Sequence, residues 1–170
     1  YCVYRIAICK CLLKKPWEEA QDHFLQAWNI RPSRPEPLYH LARIHRQNGN
    51  PRLGYLFAMQ ANKIPPPVND ILFLAHDIYN WMILDEVAST AWHAGDMIAG
   101  LEASNKLLEE KRFPKEHQER IVNNFAQYAQ WLEQKRLEEQ AQYEEQVKKA
   151  AEEKMKRTKT PAPRRKKAKR

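Results

Sequence analysis

No run of apolar residues in this 170-residue chain approaches the ~20 that a membrane-spanning helix requires, so no membrane partner is expected and a cytoplasmic setting is. Cysteine is scarce, and Cys2, Cys9 and Cys11 all fall near the start. With none downstream, a disulfide framework is excluded, and Cys9-x-Cys11 alone does not supply a zinc ligand set. Cys2 and Cys9 share one helical face while Cys11 points elsewhere, and all three are read as reduced helix-packing thiols. His23, His40, His45, His76, His93 and His117 form no H-E-x-x-H and no i, i+4 pair. No serine or cysteine arrangement marks a nucleophile, so no catalytic, cofactor-binding or metal-ligating residue is assigned.

An excess of charge of one sign is missing from most of the chain. The formal charge is +8, yet ten of the 29 basic residues lie at or beyond Lys154, leaving 19 against 21 acids before it. Any argument from basicity is therefore confined to the C-terminal end.

What is present is helical punctuation. Leu38, Leu41, Ala42 and His45 recur at the spacing of one helical face, and Gly49, Asn50 and Pro51 break that helix. Gly54, Ala58 and Ala61 mark a second helix, small enough on its inner face for close approach, and Pro65 and Pro66 stop it. The same template fits 34 residues earlier, on Tyr4, Ala7, Ile8 and Cys11, then on Ala20, Phe24, Ala27 and Pro32. It fits again 46 residues later, where Leu84, Val87, Ala88 and Ala91 are followed by Gly95 and Gly100. The difference of 12 places an insert between Pro67 and Tyr79, whose apolar part ILFLAHDIY is either a short extra helix or an extended segment.

The chain thus reads as hairpins Tyr1–Lys14 with Trp17–Ile30, Glu36 to Pro66, and Asn80–Ala94 with Met97–Glu110. A stiff elbow, RPSRPEP over Arg31–Pro37, separates the first two. Pro114 opens a capping helix with the stripe Ile121, Asn124, Phe125, Tyr128 and Leu132. Helical periodicity starts at Tyr1 with no capping residue ahead of it, so a preceding segment is expected. Residues 1–132 form the repeat domain, 133–156 a charged helical extension, and 157–170 a disordered basic tail.

A20-x3-F24-x2-A27-x4-P32 at a 34-residue period resembles the second-helix half of the tetratricopeptide (TPR) pattern. From Trp17 to Phe125, AWNIRPSRPEPLYHLARIHRQNGNPRLGYLFAMQA followed by ILFLAHDIYNWMILDEVASTAWHAGD is similar to the helical region beside the catalytic domain of TPR-containing glycosyltransferases. The resemblance implies an all-α, TPR-like superhelix of about three hairpins plus a capping helix; the long charged C-terminal helix lies beyond what it covers and is read from helix propensity. It also implies a parent protein that glycosylates an acceptor. The metal-binding Asp-x-Asp of that family is absent, as is any strand–helix alternation, so this stretch is read as a non-catalytic scaffold, with a fragment of an active transferase as the alternative.

In such an array the first helix of each hairpin lines the concave side. The positions beside the packing set are Arg5 and Cys9, then Tyr39, Arg43, Arg46 and Gln47, then Asp85, Ser89 and His93. Arg5, Arg43 and Arg46 converging on one groove suit an acidic protein or peptide partner, because guanidinium forks bind carboxylates in a bidentate way. Asp85 or Glu86 would instead neutralise them. Replacing Arg43 or Arg46 by alanine is expected to cost little stability. A second candidate is a sugar-stacking surface of Tyr79, Trp81 and Trp92, although aromatics at helical spacing are more often core. A third is the tail, where Arg164, Arg165, Lys166, Lys167, Lys169 and Arg170 suit weak, non-specific binding of nucleic acid or another polyanion.

Overall fold

Proline and glycine set the element boundaries in the computed structural model, which describes residues 1–68, 70 and 72–159. The helices are α1 (Cys2–Leu12), α2 (Trp17–Ile30), α3 (Glu36–Gln47), α4 (Pro51–Asn62), α5 (Ile83–Ala94), α6 (Met97–Glu110) and α7 (Gln118–Lys159). There is no strand among the described residues, and the chain is all-α. Pro51 starts α4 at a position where its missing N–H costs nothing. Gly49 and Gly95 take φ of +78° and +81°, a left-handed turn that a side chain would strain. Asp96 caps α6 by accepting the Ala99 N–H at 3.0 Å.

Residues 1–129 form one compact unit in which each helix from α1 to α6 packs on its sequence neighbour, and α3 also meets α5. The faces read from periodicity are interior: Leu38, Leu41, Ala42 and His45 are buried, as are Val87, Ala88 and Ala91. His45 is held between the Trp17 and Phe57 rings. Burying a leucine of this kind is worth about 2 kcal/mol, which outweighs the modest helix propensity of these segments.

Small residues do two different jobs. A Cβ on Gly54 would lie 2.8 Å from the Ala42 carbonyl oxygen, so α4 approaches the α3 backbone directly. A Cβ on Gly100 would instead collide with the Tyr128 ring. That ring, 2 % exposed, lies against Gly100, and its hydroxyl donates to the Ala88 carbonyl at 2.7 Å and accepts the Trp92 N–H at 3.0 Å.

Among its described residues, the insert between the second and third hairpins forms no separate helix or strand. That part is irregular up to Ala75 and is fastened to the proline elbow. Asp70 accepts from Arg31 and Arg34, and Arg34 also donates to the Phe73 carbonyl and to the buried Glu36 carboxylate. It ends in a π-helical turn, Ile78–Met82, that runs into α5 without leaving helical backbone angles. The third hairpin's first helix was expected to start at Asn80, inside this wider turn.

The three cysteines are exposed, so they do not pack the helix interior as expected. A short 3₁₀ turn, Lys115–His117, precedes α7. Ile121 and Tyr128 of the expected stripe are buried, but Leu132 is exposed, and the compact unit ends three residues earlier than its expected boundary. The second unit begins at Gln130, and its described part is a solvated helix with surface pairs such as Lys135–Glu138 and Lys149–Glu145. Helix α7 reaches Lys159, so residues 157–159 are helical rather than part of a disordered tail. The tail candidates Arg164, Arg165, Lys166, Lys167, Lys169 and Arg170 lie outside the described residues.

Candidate functional site

Alternate helices present one lined groove of about 820 Å³. Tyr39, Arg43, Arg46 and Gln47 come from α3, and Asp85, Glu86, Ser89 and His93 from α5. Gly49 and Pro51 at the α3–α4 turn, Trp81 and Met82 of the π turn, His117 of the 3₁₀ turn, and Arg120 and Asn124 of α7 complete the lining. Of the predicted concave residues, all but Arg5 and Cys9 lie here, and Cys9 lines neither this groove nor the hollow beside it. Arg5 lines an adjoining hollow of about 540 Å³ with His40, His76 and Asp77, and Tyr39, Arg43 and Met82 are common to both. The spacing rule succeeds because residues three and four apart share a helical face, and the faces of α3 and α5 turn the same way.

The electrostatics are less simple than three converging arginines. Arg46 donates Nε to one Glu86 oxygen at 2.7 Å and Nη2 to the other at 2.8 Å, a bidentate pair across the groove. Glu86 is only 3 % exposed. The pair raises the pKa of Arg46, with desolvation opposing. Arg120 forms a second fork, 2.8 and 2.9 Å to the two oxygens of the buried Asp85. Both acids stand in the first turn of α5, where the helix dipole favours them.

Arg43 differs. It is exposed and has no carboxylate partner among the described residues. Its guanidinium lies beside the Tyr39 hydroxyl, whose pKa is raised by burial and lowered in smaller measure by that charge. Equal tolerance of alanine at Arg43 and Arg46 is therefore corrected on physical grounds. Losing Arg46 strands a buried carboxylate, whereas losing Arg43 does not.

The adjoining hollow contains a neutral pair. The Tyr4 hydroxyl and His40 Nε2 are 2.9 Å apart, and the imidazole stacks on Phe24. Burial, with Arg43 adding to it, pushes the His40 pKa down to about 3, while burial pushes that of Tyr4 up.

The sugar-stacking surface is not assembled. Trp81 is 4 % exposed and packs beside His117, Tyr79 has its hydroxyl enclosed, and only Trp92 is well exposed, leaning on Tyr128. Arg120, Asn124 and His117 were missed because the capping helix was read only for its apolar stripe. The available signal was the acidic pair Asp85-Glu86, which needs two cations when buried, and Arg46 supplies one.

Among the described residues no group of three His, Cys, Asp or Glu is placed to hold a metal ion, and no helix is long and apolar enough to cross a membrane. No protein-family model matches the chain, and no curated protein matches its sequence.

Proposed function

We propose that this chain is a non-catalytic, TPR-like binding module whose groove between α3, α5 and the start of α7 receives an acidic peptide or protein segment. The observation that carries the reading is a helix-walled groove of about 820 Å³ with an exposed guanidinium, Arg43, that has no acid partner among the described residues and lies beside a phenol. Its other charges are already compensated by bidentate pairs, so the walls hold their geometry before a ligand arrives. The 34- and 46-residue recurrences support the repeat-like reading. A glycosyltransferase parent, with a glycan acceptor as an indirect partner, rests on the sequence resemblance, and an Asp-x-Asp domain encoded upstream of Tyr1 is its test.

The groove is tested with a photo-crosslinking amino acid placed at Gln47, at Ser89 or, outside it, at exposed Leu56 of α4. The probe is a labelled peptide of glutamates. Crosslinking from Gln47 and Ser89 but not from Leu56, weakening with added salt, is expected. Equal yields at all three positions, or none, would sink the reading. The concentration of basic residues beyond Lys154 favours a second activity, polyanion binding through the tail. Deleting residues 154–170 should abolish retention on heparin, and unchanged retention would assign it to the helical body.

A further inference from the structure

The arginines around the groove divide into two kinds. Arg46 and Arg120 are each held by two hydrogen bonds to a buried carboxylate, Glu86 and Asp85 respectively. Arg5 and Arg43 are exposed and have no acid within ion-pair distance among the described residues. The free pair lies where the groove and the adjoining hollow meet, on α1 and α3. The committed pair lies toward α5 and α7.

A ligand carboxylate arriving at the α5–α7 end would face the oxygens of Asp85 and Glu86. To gain a guanidinium it would have to leave one of those buried acids unpaired, a loss larger than the new pair returns. At the α1–α3 end the same carboxylate meets two uncommitted guanidinium groups and the Tyr39 hydroxyl. The one exposed acid lining that end is Asp77, so the local balance still favours an anion. Met82, half-buried and common to the groove and the hollow, offers apolar contact and no charge where the two meet.

Resting on the acidic-partner reading, we infer that the groove is polarised: the partner's carboxylate seats at Arg5 and Arg43, and an uncharged stretch of the partner runs past Met82 toward Asp85 and Glu86. Arg46 and Arg120 hold the groove's walls and do not bind the ligand's charge. Peptides with their acidic residue at one end are accepted in a single direction.

The test is a titration of the full chain with glutarate, followed by the side-chain Nε–Hε signals of the four arginines. The neutral diamide of glutarate is the control. Saturating shifts at Arg5 and Arg43, with Arg46 and Arg120 unmoved and no response to the diamide, are expected. In the variant Glu86→Gln, Arg46 loses its ionic partner, and its signal should begin to respond to glutarate. The variant's own spectrum reports whether it folds. Shifts at Arg46 or Arg120 equal to those at Arg43 in the unmodified chain would overturn the polarity while leaving an acidic partner in place. No shift at any of the four, or equal shifts with the diamide, would overturn both.

Discussion

The second and third hairpins carry alanine at Ala42 and Ala88 and glycine at Gly49 and Gly95 and at Gly54 and Gly100, all in the same register, yet close in different ways. Gly54 of α4 meets the α3 backbone at Ala42 and Arg46. Forty-six residues on, Gly100 of α6 and the α5 backbone at Ala88 and Trp92 have Tyr128 packed against them. One hairpin is sealed by its own two helices. The other is completed by a residue from α7, whose hydroxyl bridges two backbone groups that pair with each other in a regular helix. A repeated sequence pattern therefore specifies the space available and leaves open what fills it.

The widest gap between the hairpins should appear on removing that filler. Tyr128→Ala is expected to destabilise by about 4 kcal/mol, the range for deleting a buried aromatic ring, measured by urea denaturation. In that background Gly100→Ala should change sign. Alone it forces the added methyl into the Tyr128 ring; with the ring gone, it gains up to about 1 kcal/mol of helix propensity. Additive costs would show that Tyr128 does not occupy the space Gly100 leaves.

Gly54→Ala is the matching change in the second hairpin. The added methyl would meet a backbone oxygen, which no side-chain rotation relieves, and a cost of about 2–3 kcal/mol is expected for overpacking of this kind. Tyr128→Ala should not rescue it. Rescue would mean that the two hairpins close alike.

The joints between hairpins differ in the same register. His40 of α3 meets Tyr4 of the first hairpin as a neutral pair, and its counterpart Glu86 of α5 meets Arg46 of the second as an ion pair. Arg46→Met should cost about 2 kcal/mol, because Glu86 remains buried while Arg46 itself was one-third exposed. Adding Glu86→Leu should recover most of it. If the two changes are additive, the fork contributes nothing to the joint.

The neutral joint responds to acid instead. With its folded pKa depressed below the unfolded value, His40 binds fewer protons in the folded state between roughly pH 6.5 and pH 3. Its stability contribution is present above that window and is lost as pH falls through it. Allowing for partial solvent contact, a loss of order 1 kcal/mol between about pH 6.5 and pH 5 is expected, abolished by His40→Phe. Hydrogen exchange should show α1 and α2 loosening before α5 and α6, and simultaneous loosening would assign the acid response elsewhere.

Helical periodicity made most of this legible. Proline and glycine placed the ends of α2, α3 and α6, and three-and-four spacing found the buried face of α3 and most of the groove lining. Two things were not legible for a physical reason. The clasp of Arg34 on Asp70 and Phe73 and the fork of Arg120 on Asp85 join residues more than thirty positions apart, and helical periodicity carries no information on such pairs. Trp81 and Trp92 part for a reason that residue type does not carry: aromatics at helical spacing are more often core, which holds for Trp81, while Trp92 stays exposed beside Tyr128. The exposed thiols have a related cause: α1 packs chiefly on α2, so much of its surface has no neighbour among the described residues.

Arg43 should give the smallest change in stability and the sharpest division of labour along α3. It lies one helical turn before Arg46, lines the same groove, and has no buried acid to leave behind. Arg43→Gln is expected to move unfolding stability by less than about 0.5 kcal/mol, the range for surface substitutions. The same variant should still bind a glutamate peptide more weakly at low salt, and its deficit should shrink as salt rises, since the lost contribution is a screened charge. Set beside Arg46→Met, this separates two arginines that sequence alone treats as equivalent: one supports the wall and the other receives the ligand. If Arg43→Gln destabilised as much as Arg46→Met, Arg43 too would belong to the wall, and the groove would hold no free charge on α3 for an acidic partner.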